Sequence, residues 1–568
     1  MRRTLAALVV CGSTGFAACN PGPPPTSALL ITLDTTRADH LGSYGAARVR
    51  TPNLDALAAE GIRYEHAYSP APITLPAHAS LLTGLYPFEH RVRDNGDFRL
   101  SDRAQTLAEV LQRHGYRTGA VVGAFVLDRR FGLAQGFDSY DDDIPEERRS
   151  GSFGFAERQA PAVTDAALAW LSAQPPDRPF FLWVHYFDPH AGYEAHSDDS
   201  AFFGLPPYDA EIAFVDREIG RLLGQLDETG RGAETLVVAA ADHGEGLWEH
   251  GEVSHGYFAY DSTLRAALIL RLPDRAHADT AIAAPVSLID VFPTVLERLG
   301  IPPGDVSGVA LPLAEPDAGA ALRSIYFENY SVAYSFGLSP LRGIVRGRSK
   351  WIEAPRPERY DLTSDPHEVE NRHGSGDPRS AELRGAFGRL LDDDGRRLPG
   401  DGEVAFAIDA DAAARLNALG YVAGFARREP DDLVGGPDPK DAVEDHREIL
   451  DSEALIGIGE RAQAAEKLAA VVGRIDFVNP RALTRLAELA TDAPGREAAI
   501  AALLPYLQRD LGPALHFTIA AKLGVGLGRA GRYAEAVRAF EIAARLDPDN
   551  AEVRRGLDTA RGLQAGAP

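Results

Sequence analysis

Residues 28–34, ALLITLD, are apolar but for Thr32 until the run stops at Asp34. Two later stretches repeat the form: Phe180 to Val184 runs into His185, and Leu236 to Ala241 runs into Asp242-His243. Ala120 to Val122 is a further short apolar run. Strands that are apolar throughout, instead of alternating, are buried on both faces, as in a parallel sheet. Helical patterns lie between them. Thr51-Pro52 opens one with Leu54 and Leu57 on a single face and Gly61 at its end, and Leu107, Val110 and Leu111 mark another, closed by Gly115. The alternation predicts an α/β fold around a central, mostly parallel sheet. Open sheets of this kind place their ligands beyond the carboxyl ends of the strands, and three of these strands end there in Asp or His.

A second stretch, TLPAHASLLTG at 74–84, reads as a helix entrance: Thr74 as N-cap, Pro76 in the first turn and Gly84 at the end. Such an end directs free N–H groups and partial positive charge at whatever lies before it. Taken alone, it is a capped helix with Ala79, Leu81 and Leu82 in the core. The strand ends change that weighting. Asp34, Asp242 and His243, with the Thr74 oxygen, form a mixed O/N set for one divalent ion, Mn, Zn or Ca, the imidazole favouring Mn or Zn. A metal ion lowers the pKa of a bound hydroxyl and makes it a nucleophile near neutral pH. Each residue has a plainer use, since a lone Asp after a strand often caps a helix and Asp-His-Gly can be a turn. Further histidines crowd the region. His185 and His190 flank Asp188, and His250 and His255 follow Asp242. They can bind substrate oxygens or protonate a leaving group, and Asp188, His190 and His255 can form a second metal site. His250 is left unassigned.

With 568 residues the chain exceeds one core, and its net charge of −24 speaks against a nucleic-acid surface or attraction to anionic lipid. Its two cysteines, Cys11 and Cys19, leave no disulfide framework and no Cys-based metal site. Both fall in a targeting segment. Met1-Arg2-Arg3 is basic, an apolar run begins at Thr4, and Phe16-Ala17-Ala18-Cys19 resembles a bacterial lipobox. The expectation is a signal peptide over 1–19, a Pro-rich tether over 20–27, and an exported bacterial lipoprotein held in the cell envelope by lipid alone. An ordinary secretory signal cut nearby would also export the chain.

The stretches LITLDTTRADHLGSYG (30–45), TPNLDALAAEGIRYEHAYSPAP (51–72), LPAHASLLTGLYP (75–87) and FLWVHYFDPH (181–190), followed by YDAEIAFVDREIGRLL (208–223), VVAAADHGEGLWEHGEVSHGYFAYD (237–261) and PVSLIDVFPTVLERLGI (285–301), carry a resemblance. Residues 28–372 resemble the sulfatase branch of the alkaline phosphatase superfamily. The resemblance implies a metal at Asp34, Asp242 and His243, with His185 and His255 facing the ester. It also makes Thr74 the nucleophile and casts His78 and His190 as substrate-binding groups. Sulfatases of this kind use a formylglycine made from Cys or Ser, whereas Thr74 stands at that position and His78 replaces the motif arginine. Threonine there is similar to nucleotide pyrophosphatase/phosphodiesterases and lipoteichoic acid synthases, which attack phosphorus. Thr35 replaces a second Asp, and His243 stands where many sulfatases have Asn. The expected function is a metal-dependent hydrolase or group transferase of phosphate or sulfate esters, with phosphoesters favoured. The rivals are a silent binding protein of the same fold and a sulfuric ester hydrolase that works without formylglycine.

Residues 373–440, rich in Gly, Pro and Asp, read as a linker with one short helix near Ala412 to Leu419. Residues 441–562 turn Ala-, Leu- and Arg-rich. Leu523-Gly524, Gly531, Tyr533, Ala536, Phe540, Ala543 and Pro548 resemble tetratricopeptide (TPR) positions. A TPR-like helical domain that docks a protein partner and is separable from catalysis is expected; a plain helical bundle is the other reading.

Overall fold

The computed structural model describes residues 27–145, 158–193, 196, 204–316, 323–374, 376–392, 412–413, 415–416 and 433–566. The expected signal peptide and all of the tether but Ser27 lie outside these residues, as does part of the short helix expected near Ala412. Among the described residues no helix is long and apolar enough to cross a membrane.

The ALLITLD run is the middle of an eight-stranded sheet. Across the sheet the strands run Thr280–Ile282, Ile62–Tyr64, Leu268–Arg271, Thr235–Ala241, Ser27–Leu33, Phe180–Tyr186, Arg117–Val122 and Ser139–Asp141. Leu268–Arg271 is antiparallel to both neighbours; every other pairing is parallel. Every residue of the three central strands is buried, as continuous apolar runs require.

Register explains the site. Thr32 pairs with His185 on one side and Ala240 on the other. Asp34 and Asp242 lie two residues beyond Thr32 and Ala240, so the pleat puts all of them on one face. The Thr74–Thr83 helix covers that face. It differs from the expected cap in one respect: Ile73 is the N-cap residue, and Thr74 is the first helical residue. Gly84 ends the helix in the left-handed region at φ 70°, where a Cβ would be strained.

Four antiparallel strands, Ser324–Asn329, Leu341–Arg346, Ser349–Glu353 and Glu358–Asp361, make a second sheet. The helix Pro378–Leu391 lies on it, packing Leu383, Ala386 and Phe387 against Tyr326, Ile344 and Trp351. The linker reading of 373–440 is therefore corrected over this span. Asp377 caps the helix through the Arg379 and Ser380 amides, with Pro378 in its first turn. That capping signal and the apolar spacing outweigh the surrounding Gly-, Pro- and Asp-rich composition.

Beyond residue 440 the described residues form helices Val443–Gly457, Arg461–Arg474, Pro480–Ala490, Arg496–Leu503, Pro513–Arg529, Tyr533–Leu546 and Ala551–Ala565. Phe540 fills the space between its neighbours: a Cβ on Gly524 would come within 2.9 Å of its ring, and one on Gly556 within 2.7 Å. These helices share one apolar core with Tyr68, Tyr257, Phe258 and Phe336 of the preceding region. They are docked on it.

Candidate active site

Thr74 is fully buried at the start of its helix, with Oγ1 3.4 Å from His243 Nε2. His243 is held by an Nδ1 contact to the Gly244 carbonyl oxygen at 2.9 Å. With Nδ1–H donating there, the Nε2 lone pair turns toward Thr74, the arrangement a metal-binding imidazole needs. Asp242 uses Oδ1 to accept from the Thr35 amide (3.1 Å) and the His243 amide (2.7 Å). Its Oδ2 and both oxygens of Asp34 are buried without a hydrogen bond of ordinary geometry. Leaving such groups unmatched is expensive.

One ligand atom each from Asp34, Asp242 and His243 lies within 4.8 Å of the others. Carboxylate oxygens, an imidazole nitrogen and an adjacent hydroxyl are a donor set that fits one divalent cation. Without the cation, burial pushes the Asp34 carboxyl up to about 8 and also raises Asp242. Both shifts express the same unmet demand for positive charge.

His185 and His78 lie one layer lower. His185 is fully buried, with Nε2 3.3 Å from Asp34 Oδ2, and burial pushes it down to about 4. It reaches the ligand carboxylates from below, beside the sheet. His78 donates from Nδ1 to the Thr74 carbonyl oxygen at 2.8 Å and, as a neutral ring, accepts at Nε2 from Thr32 Oγ1 at 3.1 Å. Burial pushes it down to about 3. His78, His185 and Asp242 also form a candidate ligand group. Because both His78 nitrogens are already engaged, that group is the poorer ion site. The expected second grouping of Asp188, His190 and His255 is not among the ligand groups of the described residues. Asp188 Oδ1 instead accepts from the Ala160 amide at 2.9 Å, the first residue of the Ala160–Ser172 helix.

His255 and His190 meet on the other side of His243. Their ring centroids are 5.1 Å apart, and His255 stands 4.6 Å from His243. His190 stacks on Phe187 at 4.4 Å. His255 Nδ1 faces Glu245 Oε1 at 3.1 Å, and Tyr193 donates its hydroxyl to Glu245 Oε2 at 2.7 Å. Burial raises the Glu245 carboxyl, yet the neighbouring His255 holds it below the usual range.

Glu245 and Asn95 escape the sequence reading, and Thr35 does more than stand in for a second Asp. Glu245 looks like part of the Asp-His-Gly turn, yet it orients His255. Asn95 accepts from the Leu75 amide at 2.8 Å, and its Nδ2 is buried without a partner; nothing in the turn-like DNGD run at 94–97 signals this. Thr35 has φ 48°, costly for a β-branched residue. Its hydroxyl donates to the Pro189 carbonyl oxygen at 2.7 Å, and its own carbonyl accepts from the Tyr208 hydroxyl at 2.6 Å. Thr35 thus ties together the loops carrying Asp34, Asp242 and His190.

The comparisons with known proteins cover the same part of the chain. The sulfatase family model matches residues 27–301. These residues form a sulfatase-family domain. A model of the C-terminal part of N-sulphoglucosamine sulphohydrolase matches 249–392, which includes the second sheet and its helix. The uncharacterized sulfatase YidJ of Escherichia coli is 27% identical over 416 residues, covering 60% of this chain and 82% of that protein. The ulvan-active sulfatase of Formosa agariphila is 28% identical over 409 residues, covering 62% and 78%. A solved phosphonate monoester hydrolase of Agrobacterium radiobacter superposes with a TM-score of 0.53 at 23% identity, covering 66% of this chain and 96% of its own. The sulfatase domain is a hydrolase of the alkaline phosphatase superfamily, and its helices beyond 440 lie past both family models.

Proposed function

We propose that this protein is a metal-dependent phosphoester hydrolase in which Thr74 is the nucleophile. The observation that carries the reading is the position of Thr74 Oγ1 beside His243 Nε2, next to the unmatched oxygens of Asp34 and Asp242. Asp34, Asp242, His243 and Thr74 would hold a divalent cation, whose positive charge would lower the hydroxyl pKa and offset charge on the transferred group. Thr74 Oγ1, its proton released to water, would bond to phosphorus as the ester bond to the alcohol breaks. His255, oriented by Glu245, gives the departing oxygen its proton, and His190 beside it binds a non-bridging oxygen. Asn95 Nδ2 and the helix N-terminus add donors on the Thr74 side. Water then cleaves the Thr74 ester; transfer to another alcohol would make the protein a transferase. His185 and His78 support the ligand carboxylates and the helix.

The same aryl group offered as phosphodiester, phosphomonoester and sulfate tests the reading. The phosphorus esters are expected to be faster, and Thr74→Ser to retain much of the turnover that Thr74→Ala loses. Comparable Thr74-dependent turnover of the sulfate would instead support a sulfuric ester hydrolase working without formylglycine. Absence of a bound ion after loading with Mn²⁺ or Zn²⁺ would support the silent binding protein.

From the lipobox-like Phe16-Ala17-Ala18-Cys19 we also propose that the protein is anchored in the bacterial cell envelope through lipid on Cys19. Mass spectrometry of the mature N-terminus decides this. The helices beyond 440 are read as TPR-like, with Gly524 and Gly556 packed on Phe540 and a protein partner on their free surface.

A further inference from the structure

The loop from Asp242 to Phe258, which carries Glu245 and His255, is held in a costly conformation. Leu247, Trp248 and His250 have φ of 48°, 74° and 53°. Non-glycine residues persist in this region only where their surroundings over-determine them. Part of the constraint is internal: the Gly246 amide donates to the Ser254 carbonyl oxygen, the Trp248 amide to that of Glu252, and Glu252 Oε1 accepts from the Tyr257 and Phe258 amides.

The rest comes from the C-terminal helices. Arg447 Nε donates to the Gly251 carbonyl oxygen at 3.2 Å. The approach there is so close that a Cβ on Gly251 would lie 2.9 Å from the Arg447 guanidinium and 3.1 Å from Val443. Arg447 also stands over the Trp248 ring at 5.7 Å. Tyr257 donates its hydroxyl to the Pro439 carbonyl oxygen at 2.8 Å, and His446 stacks on its ring at 4.0 Å. On the far side, Gly256 follows His255 so closely against Ile73 that a Cβ would sit 2.7 Å from it; Ile73 directly precedes Thr74.

We infer that Arg447, His446 and Tyr257 are positioning residues for His255, and that the C-terminal helical region is the back wall of the active site. The contacts form a continuous path from the Val443–Gly457 helix through Gly251 and Tyr257 to His255 and Ile73. This inference rests on the reading of His255 as proton donor to the leaving oxygen, and it reverses the expectation that the helices are separable from catalysis. Loosening the wall acts first on departure of the alcohol, because the Thr74 side is also held by its own helix and by the Leu75 amide bond to Asn95. The defect is therefore largest for poor leaving groups, which depend most on proton donation.

The test uses the full-length, metal-loaded protein. Arg447→Met keeps the aliphatic stem near Trp248 and removes the donor to Gly251; Tyr257→Phe keeps the ring and removes the bond to Pro439. Hydrogen exchange of residues 246–258 is measured alongside kcat for an alkyl and a dinitrophenyl ester of one phosphoryl group. Each variant is expected to speed exchange in 246–258 but not in 235–241. The alkyl ester should slow by about tenfold, a fraction of what a general acid supplies, and the dinitrophenyl ester by less than about twofold. In a His255→Ala background Arg447→Met should add no further loss. Unchanged exchange in both variants overturns the clamp, whatever the substrate. Faster exchange with equal losses on both esters, or losses that multiply in the double variant, overturns its action through His255. A wild-type protein that turns over neither ester defeats the phosphoesterase reading, while the exchange result still decides the clamp.

Discussion

Two layers of the same face hold similar residues with opposite hydrogen-bond balances. In the upper layer, Asp34 and Asp242 leave three buried oxygens without hydrogen bonds, next to Thr74 and His243. In the lower layer, His78 spends both nitrogens on Thr74 and Thr32, and Thr32 also accepts from Trp183 Nε1 at 2.9 Å. All of these groups are buried, so burial does not separate ligand from support. Hydrogen bonding separates His78 from the two aspartates, whose unmatched oxygens gain most from a cation, whereas His185 leaves both of its nitrogens without a hydrogen bond. His185 is the lower-layer residue that reaches the upper one, with Nε2 3.3 Å from Asp34 Oδ2.

Substitution tests the contrast. The largest effect is expected for Asp242→Asn, which should abolish stoichiometric binding of the divalent ion and lower kcat by several orders of magnitude; metal analysis and kinetics read both. Two ions per chain in the wild type, one of them lost in His78→Gln, would erase the distinction between the layers. His185→Asn should weaken ion affinity by about 10–100-fold, as for groups that orient ligands, while one ion still binds at saturation. A metal titration separates those outcomes. Thr32→Val strands His78 Nε2 and Trp183 Nε1. It should cost about 1–3 kcal/mol in denaturant unfolding and leave kcat at saturating metal within about twofold of wild type.

The junction with the C-terminal helices offers a pH-dependent case. Burial pushes His446 down to about 3, with the Arg481 charge adding to it. The folded state keeps this imidazole neutral, whereas the unfolded chain protonates it near its ordinary pKa of about 6.5. Its contribution to stability is therefore complete above that pH and lost as pH falls toward 3, at up to about 1.4 kcal/mol per pH unit. His446→Phe should flatten the slope of unfolding free energy between pH 6.5 and pH 4. An unchanged slope would show that another group dominates acid unfolding there.

The upper layer was legible in the sequence because strand-end residues project in register: an apolar run ending in Asp34 or Asp242-His243 states both the sheet and its reactive edge. The lower layer was not. His185 sits at a strand end like the others, and only pairing with Thr32 shows that it lies below Asp34. The resemblance casts His78 as a substrate group, yet both of its nitrogens face partners inside the fold, the Thr74 carbonyl oxygen and Thr32 Oγ1. Glu245, Asn95 and Thr35 act through contacts with residues 10, 20 and 207 positions away, beyond any local pattern. The helix at 378–391 was hidden by its composition, and the docking of the C-terminal helices depends on surfaces that repeat motifs do not describe.

The central claim is that Thr74 itself becomes bonded to phosphorus. Rapid quenching of the metal-loaded enzyme during turnover of an aryl phosphodiester, followed by mass spectrometry of the peptide containing Thr74, tests it directly. The account predicts a phosphoryl-ester mass increment on Thr74, the same adduct on the serine of Thr74→Ser, and none in Thr74→Ala. Steady turnover by Thr74→Ala at the wild-type rate, with no adduct in any variant, would show that water attacks phosphorus directly and contradict the account.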